Sequence, residues 1–258
     1  MTLQIRIYHG SQLKFVEEKL KATLEGLDVQ VVIRGTHGRG WVEASVSGQD
    51  EKVALRFLRD NVGLCPSSVG EIRKFSVVGG FVAGRTGSRN ELRLDAGFVF
   101  PSVIDAMIPL RRLQAQLVDG RKMALSTLVD LFSLCPGMPA QVRMLRVDPV
   151  AKYLEAELSE KQQSQFTGWV RSMLDRLLVF GCSSDEVRDA VITSELDRDI
   201  VDVEPLGMFE SAVVCKLGTD AVGLVPKIGR VLRNSALSVF SPRKIVELLG
   251  ESAFSFTF

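Results

Sequence analysis

Two spacings of apolar residues interleave along this chain, an alternation with period two and a recurrence every three or four positions, and their order predicts the elements. Leu3, Ile5 and Ile7 alternate with polar neighbours as a half-buried strand does. Leu13, Val16, Leu20, Leu24 and Leu27 then follow at helical spacing, with Ser11 placed to cap that helix. Residues 29–33 and 41–46 predict two more strands, joined by the glycine-rich stretch 34–40, and a second helix carries Val53, Phe57, Leu58 and Val62 on one face. The order β-α-β-β-α over residues 1–66 predicts a small α/β sandwich of the ferredoxin-like kind.

Cys65-Pro66-Ser67-Ser68-Val69-Gly70 interrupts both spacings and reads as a boundary. Beyond it, residues 70–161 predict five strands, at 75–83, 91–97, near 104–110, at 137–148 and at 152–159. The first holds Gly79-Gly80, which allow the bulge a coiled barrel needs. A helical stretch, residues 111–132, is inserted before the fourth strand and should break around Asp119-Gly120. This is the order of a five-stranded OB-like β-barrel with a helix plugging one end.

From 162 to 258 a helical segment carries Phe166, Val170, Met173, Leu174, Leu177 and Leu178 and should end at Gly181. Ser183 is placed to cap a further helix with acids in its first turn. Strands at 200–204, 212–217 and 237–240, a helix ending near Leu232 and a short helix after Pro242 complete a second α/β sandwich. Pro226 leaves two readings: a helix that starts near it, or one helix from Thr219 that is kinked there. The fold class expected is therefore α+β and multidomain, with two flanking domains that are candidates for distant structural look-alikes.

Composition narrows the chemistry. The net charge is +1, so the chain as a whole is no polycation for duplex DNA or an anionic membrane. Residues 67–163 are the most basic stretch, with thirteen Lys/Arg against ten Asp/Glu. Cys65, Cys135, Cys182 and Cys215 are far apart and only His9 and His37 exist, which argues against a structural zinc site and for reduced thiols in a cytoplasmic protein. No apolar run approaches the ~20 residues that span a bilayer, so no membrane partner is expected.

Candidate binding residues cluster in the barrel. Arg85, Arg89 and Arg93 fall on one hairpin, and Phe98 and Phe100 follow two apart, a spacing that on a strand gives one face for base stacking. Alternatively one or both rings fill the barrel interior. Arg111 and Arg112 add positive charge at the start of the helical insertion. A secondary basic patch is expected from Lys216, Lys227, Arg230 and Arg233, as a phosphate or protein contact or as ion-pair partners of Asp197, Asp199 and Asp202. The aromatic tail 254–258 suits an edge strand added to a partner, or packing on this chain. The loop 34–40 is a basic hairpin able to touch an RNA backbone, or simply a turn. Its Gly35-Thr36-His37-Gly38, like Gly84-Arg85-Thr86-Gly87, matches the KH clamp, but both matches lie between strands where that clamp needs helices. No phosphate loop, dinucleotide fingerprint, zinc-protease helix or nucleophile elbow occurs, so no cofactor, metal ligand or catalytic residue is assigned.

The stretch Val213-Val214-Cys215-Lys216-Leu217-Gly218-Thr219-Asp220-Ala221-Val222-Gly223-Leu224-Val225-Pro226-Lys227-Ile228-Gly229-Arg230 resembles an archaeal family of conserved proteins, the domain of unknown function twenty-one-ten. Asp199-Ile200-Val201, residues 84–93 and residues 108–122 extend the likeness over nearly the whole chain. It implies an archaeal cytoplasmic protein and brings no activity or catalytic residues. The barrel segment is similar to the RNA-binding OB repeats of ribosomal protein S-one at Leu94-Asp95-Ala96-Gly97, Ile108-Pro109-Leu110 and residues 137–159. In domain order alone, the chain is similar to the alpha subunit of archaeal translation initiation factor two. Together these readings lead us to expect a non-catalytic RNA-binding protein of archaeal translation, ribosome assembly or RNA metabolism, or else a protein-interaction subunit whose barrel is a scaffold.

Overall fold

Three separate stretches of the chain build three sheets. The computed structural model describes residues 1–86, 90–98 and 104–250. The first sheet has the antiparallel order β1-β3-β2, from β1 (Thr2–Arg6), β2 (Val29–His37) and β3 (Trp41–Gly48), with α1 (Gln12–Thr23) and α2 (Glu51–Asn61) packed on it. Leu3, Ile5, Val31, Val42 and Ala44 bury against Val16 and Leu20 of α1 and Ala54 and Leu58 of α2.

Three local expectations are corrected here. Ser11 makes no side-chain cap; instead Gln12 Oε1 accepts from the Tyr8 and His9 amides at 2.8 and 3.2 Å. Helix α2 turns the Ala54–Leu58 stripe inward, which leaves Val53 and Phe57 exposed. Strand β2 runs through to His37, so most of the glycine-rich stretch is paired strand rather than loop. After α2, Leu64 forms an antiparallel bridge with Leu3, the place a fourth strand would occupy beside β1.

The central strands β4 (Val77–Thr86), β5 (Glu91–Asp95), β6 (Ala106–Pro109), β7 (Pro139–Asp148) and β8 (Tyr153–Leu158) close in the order β4-β5-β6-β8-β7. All neighbours are antiparallel except β6 and β8. The expected bulge at Gly79-Gly80 is elsewhere: both pair in register with β7, and the shift lies between Val82 and Gly84. Gly80 is needed for close approach, because a Cβ there would sit 2.4 Å from the Asp95 carbonyl oxygen. Between β6 and β7 come α3 (Leu110–Leu117) and α4 (Leu125–Leu131), parted where Asp119 and Gly120 take positive φ. Leu113, Leu117, Leu125 and Leu128 send the apolar face of this insertion into the barrel core.

Helix α5 (Glu160–Ser172) ends at Met173, in the left-handed conformation, well short of Gly181. The leucines assigned to its far end instead form strand β9 (Arg176–Phe180), every residue of which is buried. A strand covered on both faces reads as a continuous apolar run, which periodicity cannot tell from a buried helix. Leu178 and Phe180 face the barrel core, while Leu177 and Val179 face the opposite layer. The rest is α6 (Ser184–Thr193), β10 (Ile200–Pro205), β11 (Glu210–Cys215), α7 (Ala221–Val231), β12 (Ala236–Phe240) and α8 (Pro242–Leu249). Ser183 and Glu186 form a reciprocal capping box on α6. Helix α7 is continuous through Pro226 and capped by Asp220.

The third sheet has the antiparallel order β10-β11-β9-β12. Its connectivity β-α-β-β-α-β gives the spatial order second, third, first, fourth strand. The first sheet has that same order, with the Leu64 bridge in the fourth place. Phe132, Phe166, Trp169 and Phe240 cluster between the barrel plug, α5 and β12, edge to face except for the parallel Phe166–Phe240 pair. Phe209, in the β10–β11 turn, is buried in the core of the first sheet against Phe15. The described residues contain no helix long and apolar enough to cross a membrane.

Candidate nucleic-acid interface

Alternation along the barrel strands sends Leu92, Leu94, Ala106, Ile108, Leu154 and Ala156 inward, so their polar neighbours line the outer wall. Register then decides which of those polar side chains meet. Arg93 of β5 stands opposite Met107 of β6, and Arg143 of β7 opposite Glu157 of β8.

Arg85 lies near the end of β4, exposed and without an ion pair among the described residues. Arg93 is half-buried, with Nη1 3.6 Å from Asp105 Oδ2. Asp105, just before β6, receives a two-pronged contact from Arg39 at 2.7 and 3.1 Å. Arg39 Nη1 also lies 3.2 Å from Asp95 Oδ2. The hydrogen bond to Asp105 holds the Arg39 guanidinium above its ordinary pKa. Arg39 belongs to the turn of the 34–40 hairpin, which is therefore clamped to the barrel.

Arg111 and Arg112, at the start of α3, point to β8: Arg111 Nη2 is 3.2 Å from Glu155 and Arg112 Nη1 3.6 Å from Glu157. Glu157 also accepts from Arg143 Nη2 at 2.5 Å, and Arg143 Nη1 lies 3.5 Å from Glu160. Tyr153 Oη donates to Glu91 across the same wall at 3.0 Å. The pairing of basic residues with the carboxylates of β8 went unread in the sequence. Its signal was there, because Glu155 and Glu157 alternate with Leu154, Ala156 and Leu158 and so must share the outer face.

Phe98 does not form a stacking platform. It is 1% exposed and packs in the barrel core. After β5 the chain turns at Gly97, whose φ is 77° and whose amide donates to Asp95 Oδ1 at 3.0 Å, and the ring that follows is buried. Arg89 and Phe100 lie outside the described residues, as does the tail 254–258.

Chemically, the wall offers guanidinium groups that are only partly engaged. Each has five N–H donors, and side-chain exposure is 73% for Arg111, 42% for Arg112, 39% for Arg143 and 35% for Arg93. The neighbouring carboxylates Asp95, Asp105 and Glu157 are nearly buried. The outermost layer of this wall is therefore guanidinium over carboxylate, the arrangement that leaves donors facing an incoming anion.

The secondary basic patch is less coherent. Lys227 and Arg230 are exposed on α7, whereas Arg233 follows the end of that helix and donates to the Arg230 carbonyl at 3.4 Å. Lys216 donates to the Arg198 carbonyl at 2.6 Å. Among the described residues none of these four forms an ion pair with Asp197, Asp199 or Asp202, although the Lys216 backbone amide donates to the Asp199 carbonyl at 2.8 Å. No group of three or more His, Cys, Asp or Glu among the described residues is placed to hold a metal ion.

No curated protein matches the chain. The segment 174–240, which runs from the start of the third sheet to the end of β12, matches the family model of the DUF2110 C-terminal domain, a domain of unknown function.

Proposed function

We propose that this is a non-catalytic RNA-binding protein that contacts single-stranded RNA through the outer wall of an OB-type barrel, in archaeal translation, ribosome assembly or RNA metabolism. The observation that carries the reading is the closed strand order β4-β5-β6-β8-β7, with its one parallel pair, combined with Arg93 and Arg111 on the outer wall and the exposed Arg85 near the end of β4. In that barrel type the second and third strands, here β5 and β6, form the ligand face. The contact is electrostatic and modest, because most of the wall's guanidinium groups are already shared with carboxylates.

Fluorescence anisotropy of a short RNA at ~50 and ~200 mM salt tests this, since each phosphate contact contributes about one unit to the salt slope. Arg85→Ala and Arg111→Ala should each weaken binding and flatten the slope. Absence of binding at low salt, or indifference to both substitutions, would refute the proposal.

A second reading, a protein-interaction subunit with the barrel as scaffold, is favoured by Val53 and Phe57, exposed one turn apart on α2. Partners that survive nuclease treatment and are lost with Phe57→Ser would support it over RNA binding.

A further inference from the structure

We propose that the cleft where the three sheets meet binds a single nucleotide with one phosphate, free or as one residue of a strand. The cleft has a volume of about 890 Å³, in the range that holds small ligands. Its walls come from β1 and β3, from residues 79–81 and 139–141 on the β4–β7 side of the barrel, from α5, and from the turn 205–208. No described residue of its lining belongs to β5 or β6, and the proposal does not rest on the RNA reading.

Side-chain amides dominate the polar part of its lining: Gln4, Asn61, Gln141, Gln162 and Gln165. A carboxamide carries a donor and an acceptor side by side, the pattern with which Asn and Gln read the edge of a nucleobase. Gln162 is the fixed member. It is 4% exposed, its Oε1 accepts from the Gln141 amide at 3.0 Å, and its Nε2 donates to Gln165 Oε1 at 3.0 Å. That orients Gln165 and leaves its Nε2, with the Gln141 carboxamide, lacking a protein partner among the described residues. Gly79 keeps the wall open beside Gln4, since a Cβ there would lie 2.8 Å from Gln4 Oε1. Trp41 and Phe81, ring centroids 5.1 Å apart, supply apolar floor.

Charge selects the class of ligand further. Among the described residues Lys161 is the one charged member of the lining, exposed on the first turn of α5 and without an ion pair. One cation and no carboxylate among the described lining residues suit a single phosphate and give a triphosphate nothing to balance its remaining charge.

Calorimetric titration of the full chain with nucleoside monophosphates, the matching nucleosides and triphosphates, a neutral oligosaccharide and a short RNA tests the proposal. Expected is saturable binding of a monophosphate, stronger than that of its triphosphate and abolished by Ser164→Trp, which fills the cleft from an exposed position on α5. Lys161→Ala should weaken the monophosphate by roughly tenfold and leave the nucleoside unchanged. RNA that binds where free nucleotides do not, with Ser164→Trp weakening it, would identify the strand as the source. Oligosaccharide bound in preference to nucleotides, or nucleotide and RNA binding both indifferent to Ser164→Trp in a variant whose circular dichroism is native, would overturn the site.

Discussion

Tyr8 Oη donates a 2.9 Å hydrogen bond to Glu210 Oε1, joining the end of the first sheet to the start of β11 in the third. Glu210 is 1% exposed, its other oxygen accepts from the Phe209 amide at 3.3 Å, and the Arg6 guanidinium lies over the Tyr8 ring. Burial pushes the Glu210 carboxyl up to about 7, against the lowering effects of the Tyr8 and Phe209 hydrogen bonds and the Arg6 charge. The same burial, with the adjacent Glu210, raises the Tyr8 phenol. A raised carboxyl means that the folded chain holds a proton which the unfolded chain releases between pH ~4.5 and ~7. Stability should therefore fall by about 3 kcal/mol across that window and level off above it. Urea unfolding at pH ~5 and ~8 measures this, and Glu210→Gln should flatten the dependence, because an amide keeps a partner for both Tyr8 and Phe209. An unchanged slope in that variant would place the titration elsewhere.

Arg39 holds the first sheet to the barrel. Removing it leaves Asp105, nearly buried, with the longer Arg93 contact, and takes from the equally buried Asp95 its Arg39 partner. Arg39→Ala should cost about 1.5–3 kcal/mol, the range for a lost hydrogen bond to a charged group. Asp105→Asn should reduce the cost of removing Arg39, a coupling that a double-mutant cycle reads directly. If RNA affinity fell in Arg39→Ala while stability stayed the same, the hairpin would be an RNA contact after all.

Phe98 separates packing from ligand contact. Its truncation to Ala should cost about 3–5 kcal/mol by leaving a cavity in the barrel core. Phe98→Leu should retain the fold and, with it, RNA affinity equal to that of the parent chain. An affinity loss in the folded Leu variant would show that the ring does reach the ligand.

Where one face of an element is buried and the other wet, the residues announced it. The barrel strands, the break at Asp119-Gly120 and the Ser183 cap were all legible because local spacing or backbone chemistry decides them. β9 was misread as helix because it is covered on both faces and carries no polar alternation. Helix α2 was misread by a quarter turn, since Val53 and Phe57 offer as good an apolar stripe as Ala54 and Leu58. The candidate interface suffered most. Which arginine meets which carboxylate depends on register between strands far apart in sequence, as Arg93 with Asp105 and Arg143 with Glu157 show. The three-sheet cleft draws Gln4, Gln141 and Gln162 from three elements, and no spacing along the chain relates them.

Glu157 offers the sharpest test of how charge on the barrel wall governs binding. It is nearly buried and holds both Arg143 and Arg112, so it masks two guanidinium groups that would otherwise face a phosphate. Glu157→Gln removes one negative charge, retains a hydrogen-bond acceptor and leaves Arg143 with Glu160. If RNA lies on this wall, its affinity should rise by several-fold at low salt, and the salt slope should steepen by up to about one unit as a freed guanidinium takes a phosphate. Stability should fall by about 1–3 kcal/mol, because a charge-assisted contact is lost from a nearly buried position. The two readouts move in opposite directions, so a variant that loses both stability and affinity would mean that Glu157 shapes the interface, and that masking is not its role.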